Sequence, residues 1–74
     1  MNTSGEIPFT NANWFSEPIG TVEAQCRYRG PRVQGYVKGD RFISIEPLPE
    51  IPTPGQSIVF YKGEEVFGGG IIRR

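Results

Sequence analysis

Hydrophobic and polar residues alternate over short stretches of the chain, and glycine or proline closes most of these stretches. From Val22 onward, apolar residues fall on every second position. One side of this segment carries Val22, Ala24, Cys26 and Tyr28, and the other side carries Glu23, Gln25, Arg27 and Arg29. Because side chains alternate between the two faces of a strand, this pattern predicts a half-buried β-strand.

Extended segments separated by turn residues continue along the chain. Residues 33–38 restart the extended pattern, and a glycine-containing reversal at 38–40 leads into another alternating stretch at 41–46. Four of the eight residues at 47–54 are proline, which lacks the backbone N–H that a central strand donates to its neighbour. We therefore predict two strands joined by a tight turn, followed by a connection or an edge strand.

The last third of the chain contains the clearest turn and hairpin signals. Pro54 and Gly55 suit the central positions of a type II turn, because proline presets φ at the first position and glycine accepts the positive φ of the second. A stretch rich in β-branched and aromatic residues follows at 57–61, and the polar segment 62–65 predicts a reversal. Residues 66–67 then return beside the first strand.

Three consecutive glycines interrupt this returning strand. They are Gly68, Gly69 and Gly70. Glycine weakens a strand, so a run of three predicts a bulge, a sharp bend or a close approach of two backbones. The run does not match a phosphate-binding loop, because no Lys-Ser or Lys-Thr pair follows it. We interpret it as a bend that helps a barrel to close.

These strands predict an all-β fold, a small closed or partly open barrel of about five to six short, mainly antiparallel strands. Ten glycines and seven prolines in 74 residues indicate one domain with many turns. Barrel closure would hide both edges of the sheet. We assign residues 1–8 to a flexible N-terminal end and residues 9–74 to the barrel domain, with Trp14 as a packing anchor of its core.

Basic residues concentrate in one segment although the whole chain is neutral. Eight basic and eight acidic residues give a net charge that indicates no class of partner. Segment 21–41 has a net charge of +3, from Arg27, Arg29, Arg32, Lys38 and Arg41 against Glu23 and Asp40. Basic side chains interleaved with tyrosine are typical of RNA-binding surfaces, so these five are the candidate RNA contacts. A solvated strand face paired with nearby glutamates is the alternative.

The sequence offers neither a catalytic apparatus nor a metal site. Histidine is absent, which removes the commonest general base and metal ligand. Cys26 is the single cysteine, and its place on the apolar side of a strand predicts a buried, unreactive thiol. Glu64 and Glu65 are adjacent in a predicted turn, where their carboxylates diverge into solvent. We expect no catalytic residue, no metal and no cofactor in this chain.

The cellular setting follows from two further absences in the sequence. A single cysteine cannot form an internal disulfide, and the chain shows no signal peptide and no run of about 18 apolar residues. We therefore predict a cytoplasmic protein that does not contact a membrane.

Three stretches resemble, in order, the parts of one known domain. Asn13-Trp14 resembles the Asn-Trp that opens it, and Ala-Gln-Cys-Arg-Tyr-Arg at 24–29 resembles its first core strand. Thr-Pro-Gly-Gln-Ser-Ile-Val-Phe-Tyr at 53–61, followed by Gly-Gly-Gly-Ile-Ile at 68–72, resembles its end. On these residues the chain resembles the C-terminal barrel of bacterial tRNA-specific 2-thiouridylases, over roughly residues 9–72.

The resemblance implies a non-catalytic accessory domain. Full enzymes of that family activate the wobble uridine of tRNA with ATP and replace its 2-oxygen by sulfur relayed through cysteines. Their Ser-Gly-Gly-x-Asp-Ser nucleotide loop and catalytic cysteines have no counterpart here, so ATP would bind elsewhere in a full-length enzyme. The implied role is to help bind or position tRNA. The alternative is a barrel that docks a separate catalytic domain or subunit through apolar residues such as Phe9, Trp14 and Phe15.

Overall fold

Six β-strands provide the regular structure of residues 5–26, 30–48 and 52–73, which are the residues described by the computed structural model of the chain. Within that part of the chain there is no helix. The strands are β1 (Glu6–Trp14), β2 (Val22–Gln25), β3 (Arg32–Lys38), β4 (Arg41–Ser44), β5 (Ser57–Lys62) and β6 (Glu65–Ile72).

The strands close into a barrel in the order β1-β4-β3-β2-β5-β6, and β6 returns to β1. Every neighbouring pair is antiparallel. Closure gives each of these six strands a partner on both sides, which protects the sheet from pairing with another chain. The prediction of a small all-β barrel is confirmed, and the barrel is fully closed.

The predicted reversals lie where the sequence placed them. Lys38 pairs with Arg41 across the turn between β3 and β4, and Lys62 pairs with Glu65 across the turn between β5 and β6. At the Pro54-Gly55 turn, φ of Gly55 is 95° and the backbone N–H of Gln56 donates to the Thr53 carbonyl at 3.2 Å. A positive φ at the second central position, with this hydrogen bond, is the pattern of a type II turn.

A layer of aromatic rings forms the centre of the core. The ring of Phe60 lies 5.2 Å from that of Phe9, 5.9 Å from that of Phe42 and 5.0 Å from that of Trp14. Trp14 is half-buried and stacks on Phe60 with an interplanar angle of 27°. It covers the core from one side, as predicted.

The other buried apolar residues come from every strand of the barrel. In the described part of the chain the core comprises Ile7, Phe9, Val22, Ala24, Val33, Phe42, Ile58, Phe60 and Ile72. The inward alternation predicted for β2 is confirmed at Val22 and Ala24. Cys26 follows the strand and is half-buried against the core, while Tyr28 lies outside the described residues.

The first strand starts nearer to the N-terminus than the sequence suggested. β1 begins at Glu6, inside the segment 1–8 that the sequence assigned to a flexible end. Ile7 is fully buried and pairs with Phe42 of β4. A single apolar residue beside a proline gives no alternating pattern, so the sequence did not reveal that Ile7 fills the core.

Close backbone approach accounts for the three glycines of β6, which runs through them without a break between β1 and β5. A Cβ atom would lie 2.7 Å from Cε3 of Trp14 at Gly68, 2.8 Å from the Ile58 carbonyl oxygen at Gly69, and 2.9 Å from the Thr10 carbonyl oxygen at Gly70. Such distances leave no room for a side chain. Close approach therefore accounts for the absence of side chains at these three positions.

Bulges lie beside the glycine run in both β6 and β1. The pairing of β5 with β6 shifts between Phe60 and Tyr61, where Phe67 is the extra residue of β6 next to Gly68. The pairing of β1 with β6 shifts between Thr10 and Asn13, and Asn11 has a φ of 56°. An extra residue in β1 increases its local twist and bends it around the barrel. The glycines allow β6 to follow that bent strand at short distance.

Candidate nucleic-acid interface

Two of the predicted RNA contacts that the structure describes, Arg32 and Lys38, lie on the solvent side of β3. Along this strand the residues alternate between exposed and buried positions up to Tyr36. The exposed positions, here called the β3 face, are Arg32, Gln34, Tyr36 and Lys38. At about 3.3 Å per residue, the face extends about 20 Å from Arg32 to Lys38.

One end of the β3 face carries two adjacent basic side chains. Lys38 and Arg41 are paired across the β3–β4 turn, and both are exposed. Arg41 Nη1 lies 2.7 Å from Glu6 Oε1, and its Nε lies 4.0 Å from Asp40 Oδ1. The side chain of Lys38 makes no hydrogen bond or ion pair with the described residues. Its ammonium group is therefore free to contact a ligand.

The other end of the face carries an arginine that is held in place. Arg32 Nη1 donates to Glu23 Oε1 at 3.2 Å and to the Gly63 carbonyl at 2.7 Å. Its guanidinium carbon lies 3.8 Å from the centre of the Tyr61 ring. These contacts reach from β3 across β2 to β5 and fix the plane of the guanidinium group.

The three predicted RNA contacts that the structure describes do not form a single cluster. Arg27 and Arg29 lie outside the described residues. Lys38 and Arg41 meet at one end of the β3 face, and Arg32 lies at the other end. Arg32 and Arg41 each have a carboxylate partner, but the pairs are exposed to solvent and such pairs contribute only about 0.2 to 1 kcal/mol. A phosphate group can therefore compete with Glu6 for Arg41.

Two residues of this surface were not among the predicted contacts. Gln34 lies between Arg32 and Tyr36 on the outside of β3, and the alternation of the strand was the signal that could have identified it. Tyr61 belongs to β5 and comes beside Glu23 through the pairing of β2 with β5. No local sequence pattern specifies that long-range pairing.

The apolar residues proposed for protein docking separate into buried and exposed ones. Phe9 is 1% exposed and belongs to the core, so its proposed role in docking is wrong; the inward side of β1 places it against Phe60. Trp14 is half-buried in the same aromatic layer. Phe15, at 68% exposure, does face solvent, as does Ile19 at 67%.

Comparison with known proteins assigns the barrel to a family. The family model of the aminomethyltransferase beta-barrel domain matches residues 4–72. This chain belongs to that family. It is also 44% identical over 65 residues to the tRNA-specific 2-thiouridylase MnmA of two strains of Thermus thermophilus, a match that covers 84% of the chain. The resemblance to the C-terminal barrel of the 2-thiouridylases is therefore confirmed.

The match covers a small part of those relatives. The chain spans 17% of the length of the two Thermus proteins. No solved structure matches the chain. Among the described residues there is no helix long and apolar enough to cross a membrane. The comparisons thus identify the domain.

Proposed function

We propose that this barrel helps to bind or position tRNA for a wobble-uridine 2-thiolation enzyme, and that the catalytic groups and the ATP site belong to another domain or subunit. The observation that supports this most is the β3 face, on which Arg32, Gln34, Tyr36 and Lys38 share one side of a strand. Its two charged ends are separated by about 20 Å. A surface of this length can contact several phosphates of an RNA backbone.

The side chains of the β3 face suit contact with the sugar-phosphate backbone of RNA, which depends little on the RNA sequence. Lys38 and Arg41 offer N–H donors to phosphate oxygens, and binding would release the counterions condensed on the RNA. Tyr36 is 42% exposed between the two ends, and an exposed tyrosine ring can stack on an unpaired base. Since the arginines already have carboxylate partners, we expect moderate affinity that decreases steeply with salt.

Fluorescence anisotropy with labelled tRNA tests this proposal. The variant Lys38→Gln with Arg41→Gln should bind tRNA at least about tenfold more weakly at low salt, because two of its side chains can no longer neutralise phosphates. A second variant adds Glu64→Gln and Glu65→Gln, which restores the net charge of zero at exposed positions on the β5–β6 hairpin.

The two variants separate a local contact from a general charge effect. If the β3 face binds tRNA, the charge-restored variant remains as weak as the double variant. Recovery of wild-type affinity would mean that net charge alone governs binding, and absence of tRNA binding by the unmodified chain at low salt would refute the RNA role.

A protein-docking function is the second candidate, and an exposed apolar surface supports it. Phe15, Ile19 and Val66 are all exposed. They border the β5–β6 hairpin, since the backbone N–H of Phe15 donates to the Phe67 carbonyl and the Lys62 ammonium donates to the Ile19 carbonyl. Exposed apolar residues grouped in this way are typical of contacts with another protein or domain.

A pull-down with the catalytic portion of a 2-thiouridylase distinguishes the two functions. Docking predicts that Phe15→Ser with Ile19→Ser abolishes capture, while Lys38→Gln with Arg41→Gln leaves capture unchanged. Capture that persists in the serine variant would contradict docking through this surface.

A further inference from the structure

A small polar cavity lies on the outside of the barrel beside the fixed Arg32. It has a volume of about 270 Å³, and its lining includes Thr21, Glu23, Gln34, Tyr61, Lys62 and Gly63. Glu23 pairs with Gln34 on one side and with Tyr61 on the other, so these three side chains form one row across β3, β2 and β5. The cavity lies over that row.

The size of the cavity limits what it can hold. Pockets for drug-sized ligands measure about 300 to 1,000 Å³, so a volume of about 270 Å³ suits a single planar ring system. A helix or a whole nucleotide cofactor would extend beyond it. An unpaired base at the side of an RNA backbone has the required size.

A hydrogen bond from Arg32 holds the Glu23 carboxylate, which is the hydrogen-bond acceptor of the cavity, in place. Glu23 Oε1 accepts from Arg32 Nη1 at 3.2 Å, and the same Arg32 atom donates to the Gly63 carbonyl at 2.7 Å. The Arg32 guanidinium is also stacked on Tyr61 at 3.8 Å. Glu23 is therefore preorganised, and its second carboxylate oxygen, Oε2, has no partner among the described residues.

The functional groups around the cavity indicate the chemistry of its ligand. Glu23 is an acceptor, whereas the Thr21 hydroxyl and the Gln34 amide can each donate or accept. The Lys62 ammonium donates to the Ile19 carbonyl at 3.2 Å and has two further N–H groups. A ring with adjacent N–H donors and a neighbouring carbonyl oxygen would complement this set. Among the RNA bases, guanine offers that combination.

We infer that this cavity binds an unpaired guanine of the RNA, with its N–H edge on Glu23 and its carbonyl oxygen toward Lys62. The inference rests on the proposed function, because it assigns one base-binding site beside the surface that contacts phosphates. Arg32 acts as a positioning residue: it holds Glu23 and Tyr61 without contacting the base. Lys38 and Arg41, at the other end of the β3 face, contact the backbone.

Anisotropy with two short single-stranded RNAs tests the inference. The probes are labelled pentauridine and the same RNA with a central guanine. We expect the wild-type chain to bind the guanine RNA about fivefold or more tightly, which is the discrimination of a good base contact. Glu23→Gln should remove this preference, because Arg32 Nη1 holds the amide oxygen and the amide N–H₂ group then faces the N–H edge of guanine. Arg32→Lys, which keeps the charge but loses the planar contacts, should reduce the preference.

Controls separate this inference from the proposed function. Glu17→Gln makes the same charge change at an exposed residue that does not line the cavity and should keep the guanine preference. Thermal unfolding of each variant confirms that the barrel is folded. Equal affinity of the wild-type chain for the two RNAs, with tRNA binding intact, would overturn the guanine site alone. Failure to bind tRNA as well would overturn the proposed function and the inference together.

Discussion

The glycine run of β6 and the outer face of β3 show two different ways in which this small barrel uses its residues. At Gly68, Gly69 and Gly70 the strands approach so closely that side chains are excluded. On the β3 face, long side chains extend into solvent and form exposed ion pairs. The first region determines whether the barrel closes, and the second determines what it can contact. Changes in the two regions should therefore affect different measurements.

The largest effect on folding is expected at the centre of the core. Phe60→Ala removes the ring that contacts Phe9, Trp14 and Phe42, and such truncations cost about 3 to 5 kcal/mol. Urea denaturation should show this loss in the free energy of unfolding. Tyr36→Ala, a ring removed from the outer face, should change it by less than about 0.5 kcal/mol. Similar losses in both variants would contradict the distinction between the packed interior and the exposed β3 face.

A smaller loss of stability is expected in the glycine run. Gly69→Ala would place a Cβ atom 2.8 Å from the Ile58 carbonyl oxygen, and the backbone shift required should cost about 1 to 3 kcal/mol. Gly5→Ala is the matched control, since its Cβ atom would meet Cδ1 of Leu48 at 2.9 Å, and a flexible side chain can move away. Chemical denaturation should therefore give a lower free energy of unfolding for Gly69→Ala than for Gly5→Ala. Equal free energies of unfolding would refute the close-approach explanation.

The smallest effect is expected for the ion pair at the end of the β3 face. Glu6 and Arg41 are exposed, with Oε1 and Nη1 2.7 Å apart. A double-mutant cycle with Glu6→Gln and Arg41→Gln should give a coupling energy of about 0.2 to 1 kcal/mol, which decreases with salt. A coupling energy above about 2 kcal/mol would show that this pair is structural and unavailable to a ligand.

The sequence predicted those parts of the fold that depend on local chemistry. The Pro54-Gly55 turn, the two hairpin turns and the inward positions Val22 and Ala24 follow from φ preferences and from strand alternation, which act over a few residues. The order of the strands around the barrel depends on pairings between distant segments. The burial of Ile7 in β1 also depends on such a pairing, and the sequence did not predict it.

The sequence predicted which side chains belong to the candidate site, but it did not predict their positions relative to one another. The basic composition of segment 21–41 identified Arg32, Lys38 and Arg41. The contact of Arg32 with Tyr61 and Gly63 requires β2 to lie between β3 and β5. That order brings together residues far apart in the chain, as the Arg32–Gly63 separation of 31 shows. The cavity beside Glu23 depends on the same order.

The salt dependence of tRNA affinity tests the central claim most directly. For the wild-type chain, the logarithm of the binding constant should fall linearly with the logarithm of the salt concentration. In the Lys38→Gln, Arg41→Gln variant the slope should be smaller by about 1.4 to 1.8, because each of two phosphates that is no longer neutralised lowers it by about 0.7 to 0.9. The free energy of unfolding should change by less than about 1 kcal/mol. A slope equal to that of the wild-type chain would show that this end of the β3 face does not contact the phosphates.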